Sequence, residues 1–185
     1  SLLQTSGAAT NGYYRYNFPR RDLTVQIGDL TVAPGLALGS WAGFSGDPRQ
    51  ATMMGDLVLT GGELKAVLAE LDRQQIEVTA IHNHLAAEQP AITYVHYHAK
   101  APAIDLATPL DRVLRLTATP RPVRTPAPVA LRIDTAAVFR TLGRSGTARG
   151  DLSQVSFVLV PGLVRMNGDS VTPALGYASP VNIQA

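Results

Sequence analysis

Thr60-Gly-Gly-Glu-Leu-Lys-Ala-Val-Leu-Ala-Glu-Leu-Asp-Arg-Gln-Gln-Ile-Glu-Val-Thr-Ala-Ile-His-Asn-His84 is the stretch in which the hydrophobic period changes from helical to strand-like. Thr60 and Glu63 have capping-box spacing, in which a hydroxyl and a carboxylate satisfy reciprocal free N–H groups at a helix start. Leu64, Val67, Leu68 and Leu71 recur at helical spacing, which predicts a helix to about Gln75. From Ile76 to His84 the pattern has period two, and it does so again from Ala91 to His98, with Leu85 to Pro90 as the connection. Upstream, Tyr14, Tyr16 and Phe18 alternate with polar neighbours, and strands are expected at Leu23–Ile27, Leu30–Val32, Leu36–Phe44 and Met53–Leu59. Gly28-Asp29 reads as a two-residue hairpin turn. Downstream, a second helix is expected over Ala103 to Leu116, with Pro109 either kinking it or standing in its first turn. From Met53 the order is strand, helix, strand, strand, helix. It predicts an α+β fold in which an antiparallel sheet carries its helices on one face.

The rest of the composition narrows the field. The chain has 185 residues, no cysteine, four histidines and a net charge of +2, and 16% of its residues are charged. Without cysteine there are no disulfides, thiolate metal sites or Cys nucleophiles. No apolar run approaches the ~18 residues a membrane-spanning helix needs. The small net charge and the lack of a basic stripe argue against a nucleic-acid partner. A charged fraction below the usual ~25% leaves room for protein-contact surfaces. The opening Ser1-Leu-Leu-Gln-Thr-Ser-Gly fits a mature protein whose signal peptide has been removed, or a trimmed chain, and an exported location is the expectation.

Thr119 to Pro128 carries four prolines in nine positions and reads as an extended linker, with a proline-recognition motif as the alternative. Asp134 then caps a short helix to Leu142, closed by Gly143. A shift of 139 residues aligns the two ends of the chain without a gap. Leu3, Ser6, Gly7, Ala9, Phe18, Val25, Val32, Pro34, Leu36 and Ser40 match Leu142, Ser145, Gly146, Ala148, Phe157, Val164, Val171, Pro173, Leu175 and Ser179. The turn Gly28-Asp29 falls opposite Asn167-Gly168. The expected organisation is a complete unit over residues 1–118, a linker over 119–130 and the β opening of a second unit over 131–185. That opening packs on the first unit or on a partner.

All four histidines lie within seventeen residues: His82-Asn-His84, then Glu88, then His96-Tyr-His98. Residues i and i+2 of a strand share a face, so His82 pairs with His84 and His96 with His98. If the strands form a hairpin, both pairs can converge, with Glu88 in the connecting loop. Imidazole with carboxylate suits Zn first, and also Mn, Fe, Ni or Cu. A His-x-His is equally at home on the polar face of a strand, but the concentration of every histidine in one hairpin favours a site. The His-x-His-x-x-x-Glu spacing is similar to the first metal motif of cupins, although the preceding helix and the absence of a jelly-roll pattern argue against that fold. Tyr94 stands beside the histidines and could shape a pocket. Met53 and Met54 read as core residues. Arg20 and Arg21 could clamp an anion, with an ion pair to Asp22 or Asp56 as the structural alternative.

Tyr14-Arg-Tyr-Asn-Phe-Pro-Arg-Arg-Asp-Leu23, Leu36-Ala-Leu-Gly-Ser-Trp-Ala-Gly-Phe44, Met54-Gly-Asp-Leu-Val-Leu-Thr60 and Ile76-Glu-Val-Thr-Ala-Ile-His-Asn-His-Leu85, with Glu88 and Pro90, resemble the LppY/LpqO family. These are bacterial, largely exported proteins built on a domain of unknown function, commonly as tandem repeats with a His-x-His and a later His in each copy. The resemblance covers about residues 5–117 and resumes from Asp134. It implies His82, His84 and His96 as shared positions, with Glu88 and then His98 behind them. The chain departs from the pattern by lacking the helix and histidine strands of a second copy, so it would carry one such site. The resemblance transfers no activity.

Two functions follow as expectations. One is an exported metal- or small-ligand-binding domain using His82, His84, Glu88, His96 and His98. The other is a non-catalytic accessory subunit of a larger envelope assembly, which pairs with a protein partner or another copy through exposed sheet edges and the Pro-rich strap. Catalysis would need an open coordination position and a base such as Glu88, and the non-catalytic reading is preferred.

Overall fold

A computed structural model describes residues 2–10, 12–123, 132–149 and 152–184. Its centre is a six-stranded antiparallel sheet of β1 (Ala8–Thr10), β2 (Tyr13–Pro19), β5 (Gly39–Asp47), β6 (Gln50–Thr60), β7 (Glu77–His82) and β8 (Ile92–Ala101), in the order β1-β2-β5-β6-β8-β7. The fold is α+β. Two helices, α2 (Gly61–Arg73) and α3 (Ala103–Leu114), cover one face. Val67 and Leu71 of α2 and Leu106, Leu110 and Val113 of α3 bury against Phe18, Ala42, Leu57, Leu59 and Val95. These sheet residues stand on alternate positions of neighbouring strands, which is why they share a face.

The opposite face has different covers at its two ends. A hairpin of β3 (Gln26–Ile27) and β4 (Leu30–Thr31), followed by the single turn α1 (Pro34–Ala37), folds over Val58, Ile92 and Tyr94. Gly28 turns this hairpin at φ +57°, a conformation that glycine adopts without steric cost. The expected strand from Leu36 begins only at Gly39. Proline at a first helical turn loses no hydrogen bond, so Pro34 starts a turn that tucks Leu36 and Leu38 beneath the flap. Pro109 stands inside α3 and not in its first turn.

The C-terminal elements cover the other end. They are α4 (Thr135–Leu142), β9 (Thr147–Arg149), β10 (Leu152–Phe157), β11 (Val164–Met166), β12 (Asp169–Val171), a π-helical turn at Pro173–Tyr177 and β13 (Ser179–Gln184). The Asp134 carboxylate caps α4 by accepting from the Ala137 N–H, and Gly143 ends it at φ +62°. The pairings of this segment repeat those of the first at an offset of 139. Ala8↔Arg15 recurs as Thr147↔Gln154, Gln26↔Thr31 as Arg165↔Ser170 and Tyr13↔Ser45 as Leu152↔Gln184. Leu175 and Val171 pack on Tyr13, beside Trp41 and Met54. Gln184 accepts from the Ala33 N–H at 2.6 Å and donates to the Thr31 carbonyl at 2.7 Å, while Asp169 accepts from Lys100 at 2.7 Å. The proline-rich stretch from Thr119 is described only as far as Val123, and positions 124–131 lie outside the described residues.

Arg20 ties the sheet to α2. Its guanidinium is fully buried and donates to Asp22, to Glu63 and to the Val58 carbonyl. Glu63 also accepts from the Thr60 backbone N–H and from Ala118. The capping carboxylate of α2 is therefore the same group that neutralises Arg20. Burial alone would raise the Glu63 carboxyl, but Arg20 and these N–H groups hold it below the ordinary carboxylate value. Stability from this group is fully present above that value and is lost as pH falls through the depressed one. Arg20→Met should cost about 3–5 kcal/mol at pH 7, because it leaves two carboxylates unpaired. Urea melts at pH 7 and pH 4 should also show a smaller acid-induced loss in the variant than in the parent.

Candidate metal centre

The histidines meet because of an irregularity. Glu77 lies opposite His98 and Val78 opposite Tyr97, but the next pairs are Ala80 with His96, Ile81 with Val95 and His82 with Tyr94. Thr79 is the extra residue of a β-bulge, which reverses which face each later residue points to. Without it His82 would stand opposite Thr93, on the helix-covered face. With it His82 joins His96 on the open face, at a ring-centroid distance of 4.8 Å. His84 lies two residues beyond the end of β7 and still stacks on His82 at 4.8 Å and on Tyr94 at 3.6 Å. One ring nitrogen from each of His82, His84 and His96 lies within 4.8 Å of the others. Tyr94 is the floor of this cluster, anchored by its hydroxyl, which donates to the Ala37 carbonyl at 2.9 Å.

Electrostatics favour the neutral form of two of these rings, His84 and His96. Burial and the neighbouring His82 and His96 push the His84 imidazole below its ordinary value. Burial and His82 do the same to His96. A neutral imidazole keeps a lone pair free, which is the form that ligates a metal.

Apart from Tyr94 and Arg21, the structure gives the other expected site residues partners of their own outside the triad. Glu88 is buried in the loop between β7 and β8, and its carboxylate accepts from the Ile92 N–H at 3.0 Å. It braces the start of β8. The Nδ1 of His98 meets Glu77 at 3.1 Å, two positions along β8 from His96, and Asn167 of the C-terminal segment donates to the same carboxylate at 3.4 Å. Arg20 is consumed in its internal ion pairs, and Arg21 is exposed beside them. Met53 is core, as expected, whereas Met54 packs under the C-terminal segment. An apolar cleft of about 750 Å³ lined by Leu3, Tyr16, Phe44, Ala51 and Ile104 opens on the helix side. No histidine or carboxylate lines it, so it is not part of this chemistry.

Asp56 was not singled out from the sequence as a site residue. It pairs directly opposite His96 in the β6–β8 register, with Oδ2 at 3.7 Å from His96 Nε2. It is 4% exposed, and its Oδ1 has no hydrogen-bond partner among the described residues. Burial pushes its carboxyl up to about 7, against the pull of Arg15. The available signal was a lone acid within the apolar run Met53 to Leu59.

Fold and site together define an α+β domain with a three-histidine cluster on its open sheet face. A family model described as Domain of Unknown Function (DUF1259) matches residues 1–116, and the chain belongs to that family. No curated protein and no solved structure matches the chain.

The bulge makes a direct prediction. Deletion of Thr79 should restore regular pairing and turn His82 to the helix side. Ring-proton contacts between His82 and His96 in NMR spectra should be lost, while those between His96 and neighbours on β6 persist.

Proposed function

We propose that this chain is an exported domain that binds one divalent transition metal, Zn first, through His82, His84 and His96, and that it is a member of the LppY/LpqO group within its family. The observation that carries the reading is the convergence of three imidazole nitrogens within 4.8 Å on the sheet face opposite α2 and α3. Three nitrogen ligands converging from one side supply most of what a divalent metal needs from the protein. The segment over 131–185 is read as the β opening of a second unit, on the strength of the pairings that recur among its described residues at the 139-residue offset. No reaction is assigned.

Elemental analysis of untagged protein dialysed against zinc tests the binding. About one equivalent is expected in the parent, and well under a tenth of that in a His82→Ala, His84→Ala double variant. Equal metal in both, or none in either, would overturn it.

A second reading, an interaction subunit of an envelope assembly, is favoured by a different observation. Val158, Leu159, Val160, Leu163 and Val181 are each exposed in the C-terminal segment, and no strand among the described residues pairs with the outer edge of β13. Exposed apolar surface beside an open strand edge favours association. Light scattering after size exclusion should then show a dimer or larger species that Leu159→Lys with Val181→Lys converts to monomer. A monomeric parent would count against this reading.

A further inference from the structure

We infer that Asp56 is the fourth protein ligand of this site, making it a three-histidine, one-carboxylate centre for a divalent first-row metal; this rests on the metal-binding reading above. Three observations carry it. The first is placement. Asp56 and His96 are directly opposed in the β6–β8 register, so their side chains leave the sheet together on the face that carries His82 and His84.

The second is distance. At 3.7 Å, Asp56 Oδ2 and His96 Nε2 are too far apart for an N–H···O hydrogen bond. Two ligands at about 2.0–2.2 Å from one tetrahedral metal stand about 3.4 Å apart. The pair therefore has nearly the spacing that joint ligation requires, and not the spacing of a carboxylate that merely orients a ring. The triad nitrogens, within 4.8 Å of one another, close to the same spacing with movements of about 1 Å.

The third is the unmet demand of the carboxylate. Asp56 is almost fully buried, and Oδ1 accepts from nothing among the described residues. Buried carboxylates normally hold cations or several N–H donors. The one guanidinium facing this side from β2, that of Arg15, donates through Nε to Asn17 at 2.8 Å and lies over the Trp41 ring at 4.1 Å. A metal beside His96 supplies a cation in direct contact with Asp56, where Arg15 acts only at longer range. The ligand set selects the metal: imidazole with carboxylate suits Zn, Fe or Mn and disfavours the soft Cu(I) ion, which takes thiolate and thioether.

The experiment uses the full untagged chain and Co(II) alone as the probe, titrated into the parent, Asp56→Asn, Asp56→Ala and His82→Ala. The parent should bind one equivalent with visible bands of a low-coordinate site. Both Asp56 variants should bind at least tenfold more weakly, with shifted bands. Without metal, Asp56→Asn should melt several degrees higher than the parent, because an amide is less costly to bury unpaired than a carboxylate. A merely structural aspartate would give the opposite, a lower melting temperature with unchanged bands. Parent-like affinity and spectrum in Asp56→Asn, with binding lost in His82→Ala, would overturn the assignment of Asp56 alone. No binding by the parent would overturn the metal reading as well. Asp56→Asn is near-isosteric, so the test stands even if Asp56→Ala fails to fold.

Discussion

The ten-residue antiparallel register between β6 and β8 is the constraint on which the rest of this molecule depends. It runs from Ala51 opposite Ala101 to Thr60 opposite Ile92 without a break. On one face it lines up Met53, Leu57 and Leu59 with Val95, Tyr97 and Ala99, the floor on which α2 and α3 pack. On the other it sets Asp56 against His96 and Val58 against Tyr94. A slip of one residue would move every one of these side chains to the wrong face. The core and the site are thus one decision made twice, once for each side of the sheet.

The two faces also differ in how they are closed. Helices cover the first with an apolar layer that leaves a cleft beside Tyr16, Phe44 and Ile104. The second is covered from both ends by short hairpins and turns, Gln26–Ala37 at one end and Val164–Tyr177 at the other. The histidine cluster lies open on this face, with His82 and His84 exposed. The covers are cross-linked, since Gln184 and Asn182 of β13 bond to backbone groups of Thr31, Ala33 and Leu36. The C-terminal segment is therefore part of the architecture around the site and not an appendage.

Polar burial marks where the molecule departs from simple packing. Arg20 is buried with complete partners, Asp22, Glu63 and the Val58 carbonyl, and so serves the fold. Asp56 is buried with no hydrogen-bond partner for Oδ1 among the described residues, and so costs stability. Fully satisfied networks specify structure, while unsatisfied groups cluster where ligands bind. The contrast separates these two buried charges.

The chain's own sequence determined the local features. The Thr60–Glu63 box and the leucine spacing after it placed α2, Gly28 placed the first hairpin turn, Asp134 and Gly143 bounded α4, and period-two alternation marked the two histidine strands. These are legible because they depend on neighbours within a few residues. Ten identities at the 139-residue offset fall in segments whose pairings recur, which is local information read twice. Only the tertiary structure decided which histidines meet. Alternation shows that His82 and His84 share a side and that His96 and His98 do, but not that the two strands present the same side. That depends on the bulge at Thr79. It also depends on competition: Glu77 engages His98, and the Ile92 N–H takes Glu88, while a residue forty positions from His96 faces it across the sheet. Register between distant strands is set by the packing of the whole sheet, and no short-range pattern records it.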